Sequence, residues 1–180
     1  MTVAGGSLGG SGQLGGAIAV GSGGTIIPGA SIGTLTGSTS LSFTDGSTFG
    51  YELDSASVTA DLLNVRTDFN LSGTVSLTLT DLSASTLIAQ GTVLSLVNYG
   101  GAWNGGLLTY SGSALADEDQ FTFGANQFRI DYNSTIQGAN VTSPVGVTYV
   151  NLVVVPEPTT SAALLSGLGL AAMMLRRRRV

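Results

Sequence analysis

The chain has 180 residues, of which 27 are glycine and only 9% are charged, with 43% apolar residues to build a core. It contains no histidine, cysteine or lysine, which excludes the usual zinc sites, thiol chemistry and histidine acid–base catalysis. Residues 1–155 carry ten acids and two arginines, Arg66 and Arg129, a net charge of −8 that repels phosphate backbones; nucleic acid is excluded as a partner.

Residues 1–40 are dominated by Gly, Ser and Thr. The elements Gly5-Gly6-Ser7-Leu8, Gly15-Gly16-Ala17-Ile18 and Gly23-Gly24-Thr25-Ile26 recur at spacings of 10 and 8. One short strand plus one tight turn has about this length, the way solenoid rungs are assembled. A flexible Gly/Ser linker is the alternative, but a linker has no use for Leu8, Leu14, Ile18, Val20, Ile26, Ile27, Ile32 and Leu35. The start "MTVAGGSLGG" lacks a basic region and an apolar run, so it is not a secretory signal peptide, and an upstream continuation of the rungs is expected.

A second unit is expected over residues 41–155. Leu41, Phe43, Phe49, Tyr51 and Leu53 share one parity around the turn signal Asp45-Gly46. Val75, Leu77 and Leu79 alternate with Ser and Thr. "TVLSLVNYG", "FTFGANQFRIDY" in two pieces, and "VGVTYVNLVVV" read as further strands, the last ending at Pro156. "SASVTADLLNVRTDF" is the one stretch open to a helical reading, which its Val, Thr and Asn content weakens. The expected fold class is all-β: a right-handed parallel β-helix or solenoid-like body with a less regular β C-terminal part, then one C-terminal hydrophobic helix.

Residues 156–180 differ in kind. Thr159 to Leu175 is an uncharged run of 17 residues rich in Ala, Leu and Met, followed by Arg176, Arg177, Arg178 and Arg179. As a helix it spans about 25 Å, slightly less than a bilayer core of about 30 Å. A core helix rarely ends in four adjacent arginines; membrane anchoring or sorting explains them, with the arginines cytoplasmic and the β body outside.

Pro156-Glu157-Pro158, an apolar helix and a terminal arginine cluster, in that order, resemble the PEP-CTERM sorting signal. The resemblance implies that Pro156, Glu157 and Pro158 form the recognition motif for an exosortase, a membrane-embedded processing enzyme. It implies that Ser161, Leu164, Leu165, Leu168, Leu170, Met173, Met174 and Leu175 belong to a transient inner-membrane segment. Arg176 to Arg179 are then the cytoplasmic stop. The protein would pass from the inner membrane to the cell surface or an exopolysaccharide matrix. Such substrates carry an N-terminal signal peptide, expected here upstream of Met1. Residues 5–43 in turn resemble the autotransporter-associated β-strand repeat, whose passengers are parallel β-helices; no translocator-barrel likeness accompanies it.

Candidates for chemistry each have a plainer reading. Asp117, Glu118, Asp119 and Asp131 could offer oxygens to calcium, but no EF-hand loop or Ca²⁺-binding nonapeptide repeat is present and a solvated acidic loop is favoured. Trp103 and Tyr110 could stack on a sugar, although packing is the commoner role. The sequons at Asn70, Asn133 and Asn140 read as chance matches. No cofactor, metal or catalytic residue is expected. The functional expectation is a non-enzymatic surface or matrix protein, against a polysaccharide-processing enzyme or a permanently anchored protein.

Overall fold

The computed structural model describes residues 1–156, and among these it contains eighteen strands and no helix. No helix of the described residues is long and apolar enough to cross a membrane. The expected C-terminal helix lies outside the described residues.

The chain visits three sheets in a fixed order, four times over. The first pass is β1 (Thr2–Val3), β2 (Gly6–Gly10) and β3 (Gly12–Leu14). The second is β4 (Ile18–Val20), β5 (Gly24–Pro28) and β6 (Thr34–Gly37). The third is β7 (Leu41–Phe43), β8 (Ser47–Asp54) with the short antiparallel β9 (Thr59–Ala60), and β10 (Leu62–Val65). The fourth is β11 (Phe69–Leu71), β12 (Val75–Asp81) and β13 (Val93–Tyr99). Every strand pairing between successive passes is parallel, apart from one isolated antiparallel bridge between Gly10 and Gly29, giving the orders β1-β4-β7-β11, β2-β5-β8-β12 and β3-β6-β10-β13. The sheets run unbroken through residues 40 and 41, because Ile18 pairs with Leu41.

Each pass is longer than the one before. In the first sheet the partners Thr2 and Ala19, Ile18 and Leu41, and Leu41 and Phe69 lie 17, 23 and 28 residues apart. The isolated parallel bridge from Phe69 to Trp103 extends the series to 34. The second sheet follows with 18, 23, 28 and 33, from Gly6–Gly24 to Val75–Leu108. The Gly-Gly element at 15 therefore spans the turn from β3 into β4 and is not stacked on the element at 5, whereas the element at 23 pairs with the element at 5 in register.

Parallel register with a period of two places like on like. Val3, Val20, Phe43 and Leu71 form one inward column, and Leu8, Ile26, Phe49 and Leu77 another. A longer perimeter encloses a wider core, and the side chains grow to fill it. Aliphatic residues line the first two passes, and fully buried Phe43, Phe49, Phe69, Tyr51 and Tyr99 fill the later ones. Their rings are in contact: Phe43 lies 5.8 Å from Phe49 and 6.3 Å from Phe69, and Phe69 lies 6.0 Å from Tyr99. Aromatic pairs at these separations add to the burial itself.

The C-terminal part closes the wide end with reversed direction. β14 (Leu108–Tyr110) adds parallel to β12 and turns back into β15 (Ser113–Ala114). That two-residue turn holds Ser111 and Gly112 at φ +49° and +82°, the left-handed pair that matches strand twist in a tight hairpin. β16 (Gln120–Phe123) and β17 (Asn126–Ser134) form a hairpin, and β18 (Thr148–Val155) lies antiparallel between β17 and β13. The stretch open to a helical reading is instead β9 and β10, and Leu62, Leu63 and Val65 in it are buried.

Candidate sorting junction at the end of the last strand

The one motif with a specific functional likeness begins where β18 stops. Val153, Val154 and Val155 pair with Arg129, Phe128 and Gln127 on one side, and Val153 pairs with Val93 on the other. Val154 also donates to the Thr92 carbonyl at 2.9 Å and accepts from the Gly91 amide at 2.8 Å. The next residue, Pro156, has no amide proton to continue the ladder, and it is exposed. The strand is thus held from both sides up to the last valines and released at the proline.

Beside this exit lies a groove of about 390 Å³ bordered by Leu87, Ile88, Gln90, Asn126, Gln127 and Pro156. Asn126 builds its wall: the side-chain carbonyl accepts the Ile88 amide at 2.8 Å and the amide donates to the Thr86 carbonyl at 2.7 Å. This fixes the segment carrying Leu87, which is 77% exposed, next to the motif. The junction therefore presents two exposed apolar residues, Leu87 and Pro156, beside the wall that Asn126 ties together.

Pro156 is the last described residue. Glu157, Pro158, the segment from Ser161 through Leu164, Leu165, Leu168, Leu170, Met173, Met174 and Leu175, and Arg176 to Arg179 lie outside the described residues.

The fold brings Asp117, Glu118 and Asp131 together, with carboxylate oxygens within 4.8 Å of one another. Two of the three acids have one oxygen engaged: Asp117 accepts the Tyr132 amide at 2.8 Å and Glu118 pairs with the Arg129 guanidinium. Asp119 instead accepts the Ala116 amide at 2.7 Å. Trp103 is packed, stacked on Tyr132 at 4.8 Å and 6° between planes, with its indole N–H donating to the Gly106 carbonyl at 2.9 Å. Tyr110 packs on Phe121 at 4.6 Å. The Asn140 side chain is engaged on both atoms: Oδ1 accepts the Ser95 amide, and Nδ2 donates to the Asp61 and Ser95 carbonyls.

Sequence reasoning missed a polar cluster inside the body. Asp61 is fully buried, its two oxygens accepting the Gly33 amide at 2.9 Å and the Glu52 amide at 3.0 Å. Burial pushes its carboxyl up to about 6, against the two backbone donors that favour the anion, and the Glu52 charge adds to the rise. The buried Tyr51 hydroxyl, raised by burial and then by the Asp61 charge, donates to the Ser95 carbonyl at 3.1 Å. The only signal in the sequence was an acid directly before the apolar pair Leu62-Leu63.

No curated protein and no solved structure matches the chain. A family model, described as the PEP-CTERM protein-sorting motif, matches residues 154–179, starting on the last valines of β18. That motif is generally recognised by exosortase and marks a secreted or cell-surface protein that passes a membrane, so this β body carries a sorting signal at the exit of the last strand among the described residues.

Proposed function

We propose that the protein is a non-enzymatic surface or extracellular-matrix protein, held transiently in the inner membrane by its tail until an exosortase processes it. The observation that carries this reading is the sorting-motif match at residues 154–179, set against a strand whose hydrogen-bonding stops at Pro156. A processing enzyme needs an extended, accessible segment, and proline on either side of Glu157 disfavours both a helix and continued strand pairing there. In this reading Pro156, Glu157 and Pro158 are the recognition motif, and the run containing Ser161, Leu164, Leu165, Leu168, Leu170, Met173, Met174 and Leu175 is the disposable span. Arg176 to Arg179 keep the tail end cytoplasmic, which places the acidic body outside.

The body itself we read as a three-sided, right-handed parallel β-solenoid with an antiparallel cap. Four passes through three parallel sheets support this, and parallel strand connections are right-handed in nearly all proteins. A passenger of the autotransporter-associated repeat type is the sequence likeness of residues 5–43 extended to this body. Its role is then mechanical: a stiff polar-faced rod that contacts matrix polysaccharide.

Mass spectrometry of the surface-located protein in an exosortase-bearing bacterium tests the sorting. Loss of Arg176 to Arg179 is expected, as is retention in the inner membrane when Pro156, Glu157 and Pro158 are all replaced by Ala. Surface protein that keeps its arginines overturns the reading. Release of products from matrix polysaccharides by the purified chain would overturn the non-enzymatic part.

A further inference from the structure

We propose that the outer face of the third sheet, near its β3 edge, is a binding groove for uncharged, hydroxyl-rich saccharides. The groove is open to solvent on one side and has a volume of about 380 Å³, within the range of about 300–1,000 Å³ common for small-molecule sites. Its floor is a ladder in parallel register, Gln13 on β3 beside Thr36 on β6 beside Asn64 on β10, with Thr34 next to it. Its wall is the segment between β17 and β18, where Thr142 and Ser143 face the ladder. That wall is fastened from below: the Asn64 amide donates to the Ser143 carbonyl at 3.1 Å, and the Asn98 side-chain carbonyl accepts the Val145 amide at 2.6 Å. Arg66 completes the lining.

Two features of this groove specify the ligand's chemistry. Asn64 is 98% buried, and its Oδ1 is buried without a hydrogen-bond partner among the described residues. An orphaned buried acceptor is costly, and a donor reaching it from the groove would relieve that cost. Arg66 is a donor only, and it is exposed and in no salt bridge among the described residues, where the other arginine, Arg129, is paired. The ligand must therefore bring both donors and acceptors, which hydroxyl groups do and a carboxylate or phosphate does not. The net charge of −8 over residues 1–155 opposes polyanions as well. Among the described residues Val145 is the one aliphatic side chain in the lining and none is aromatic, which gives an apolar peptide side chain or an acyl chain little to pack on.

The proposal rests on the reading of the body as a matrix-contacting protein but not on the sorting reading, because its residues, among those described, lie on or next to β3, β6 and β10 and in the segment before β18. The test titrates the isotope-labelled full chain with neutral oligosaccharides (isomalto-, cello- and laminari-hexaose), with a galacturonate hexamer in parallel, followed by NMR. Chemical-shift changes confined to residues 12–14, 34–36, 64–66 and 142–145 with a neutral sugar are expected. Arg66→Ala and Thr36→Val, both on the accessible face, each should weaken that binding about tenfold while the remaining spectrum stays unchanged. Absence of shifts with all three neutral sugars, stronger binding of the galacturonate, or variants that bind like the parent would each overturn the proposal.

Discussion

The Asn140 amide donates to the Asp61 carbonyl at 2.7 Å, tying the loop before β18 to the third pass across 79 residues of chain. The same side chain accepts the Ser95 amide at 2.8 Å, so one residue joins the cap, the third pass and the fourth. Replacing Asn140 by Ala leaves these backbone groups without their partner. The expected loss is about 1–3 kcal/mol, read as a lower urea midpoint with an unchanged slope. Because both side-chain atoms are engaged, the sequon at Asn140 should also stay unmodified in the folded chain when a glycosylating host expresses it.

Asp61 makes stability depend on pH in the sense opposite to most carboxylates. Its pKa in the fold is about 6 against an ordinary 3.8, so between these values the folded state holds the proton more tightly than the unfolded chain. Its contribution is complete below about pH 4 and is lost as pH rises through about 6. Asp61→Asn offers one acceptor and one amide to two backbone donors, which should cost about 1–3 kcal/mol. Denaturation at pH 4 and pH 7 should show the parent losing stability relative to Asp61→Asn as pH rises; parallel curves would refute the assignment.

Phe69 sits at the centre of the ring contacts, fully buried between Phe43 and Tyr99. Phe69→Ala should destabilise the fold by about 3–5 kcal/mol through lost burial and a cavity that the rigid parallel sheets cannot close. Calorimetry should show a lower Tm, whereas Phe69→Leu should recover part of the loss.

Trp103 is the chain's single tryptophan, and its ring stacks on Tyr132. The Tyr132 hydroxyl also accepts the Leu108 amide at 2.8 Å, and burial raises its pKa to about 12. Tyr132→Ala should shift Trp103 emission to longer wavelength and cost about 3 kcal/mol. Tyr132→Phe keeps the stack but leaves the buried Leu108 amide unpaired, so it should cost about 1–3 kcal/mol with little spectral change.

Much of the strand content was legible because burial on one face of a strand imposes a period of two. Leu41, Phe43, Phe49, Tyr51 and Leu53 share a parity and are all buried. The end of β18 was legible too, since proline cannot donate to the ladder. The buried positions of Asp61 and Asn64 and the bridging role of half-buried Asn140 were not. A polar residue in a strand or loop reads as solvent-facing until the segment that covers it is known, and the partners of Asn140 lie 45 and 79 residues away.

The sequence by itself determined the all-β character of the body, the inward parity of its strands, and the sorting motif that follows Val155, because each depends on residues near in the chain. Only the tertiary structure decided which strands pair. Passes of 17, 23, 28 and 34 residues have no fixed period to detect, since the added length falls in longer strands of the second and third sheets and in the connection between them, while the backbone hydrogen bonds that align neighbouring passes are the same for every side chain.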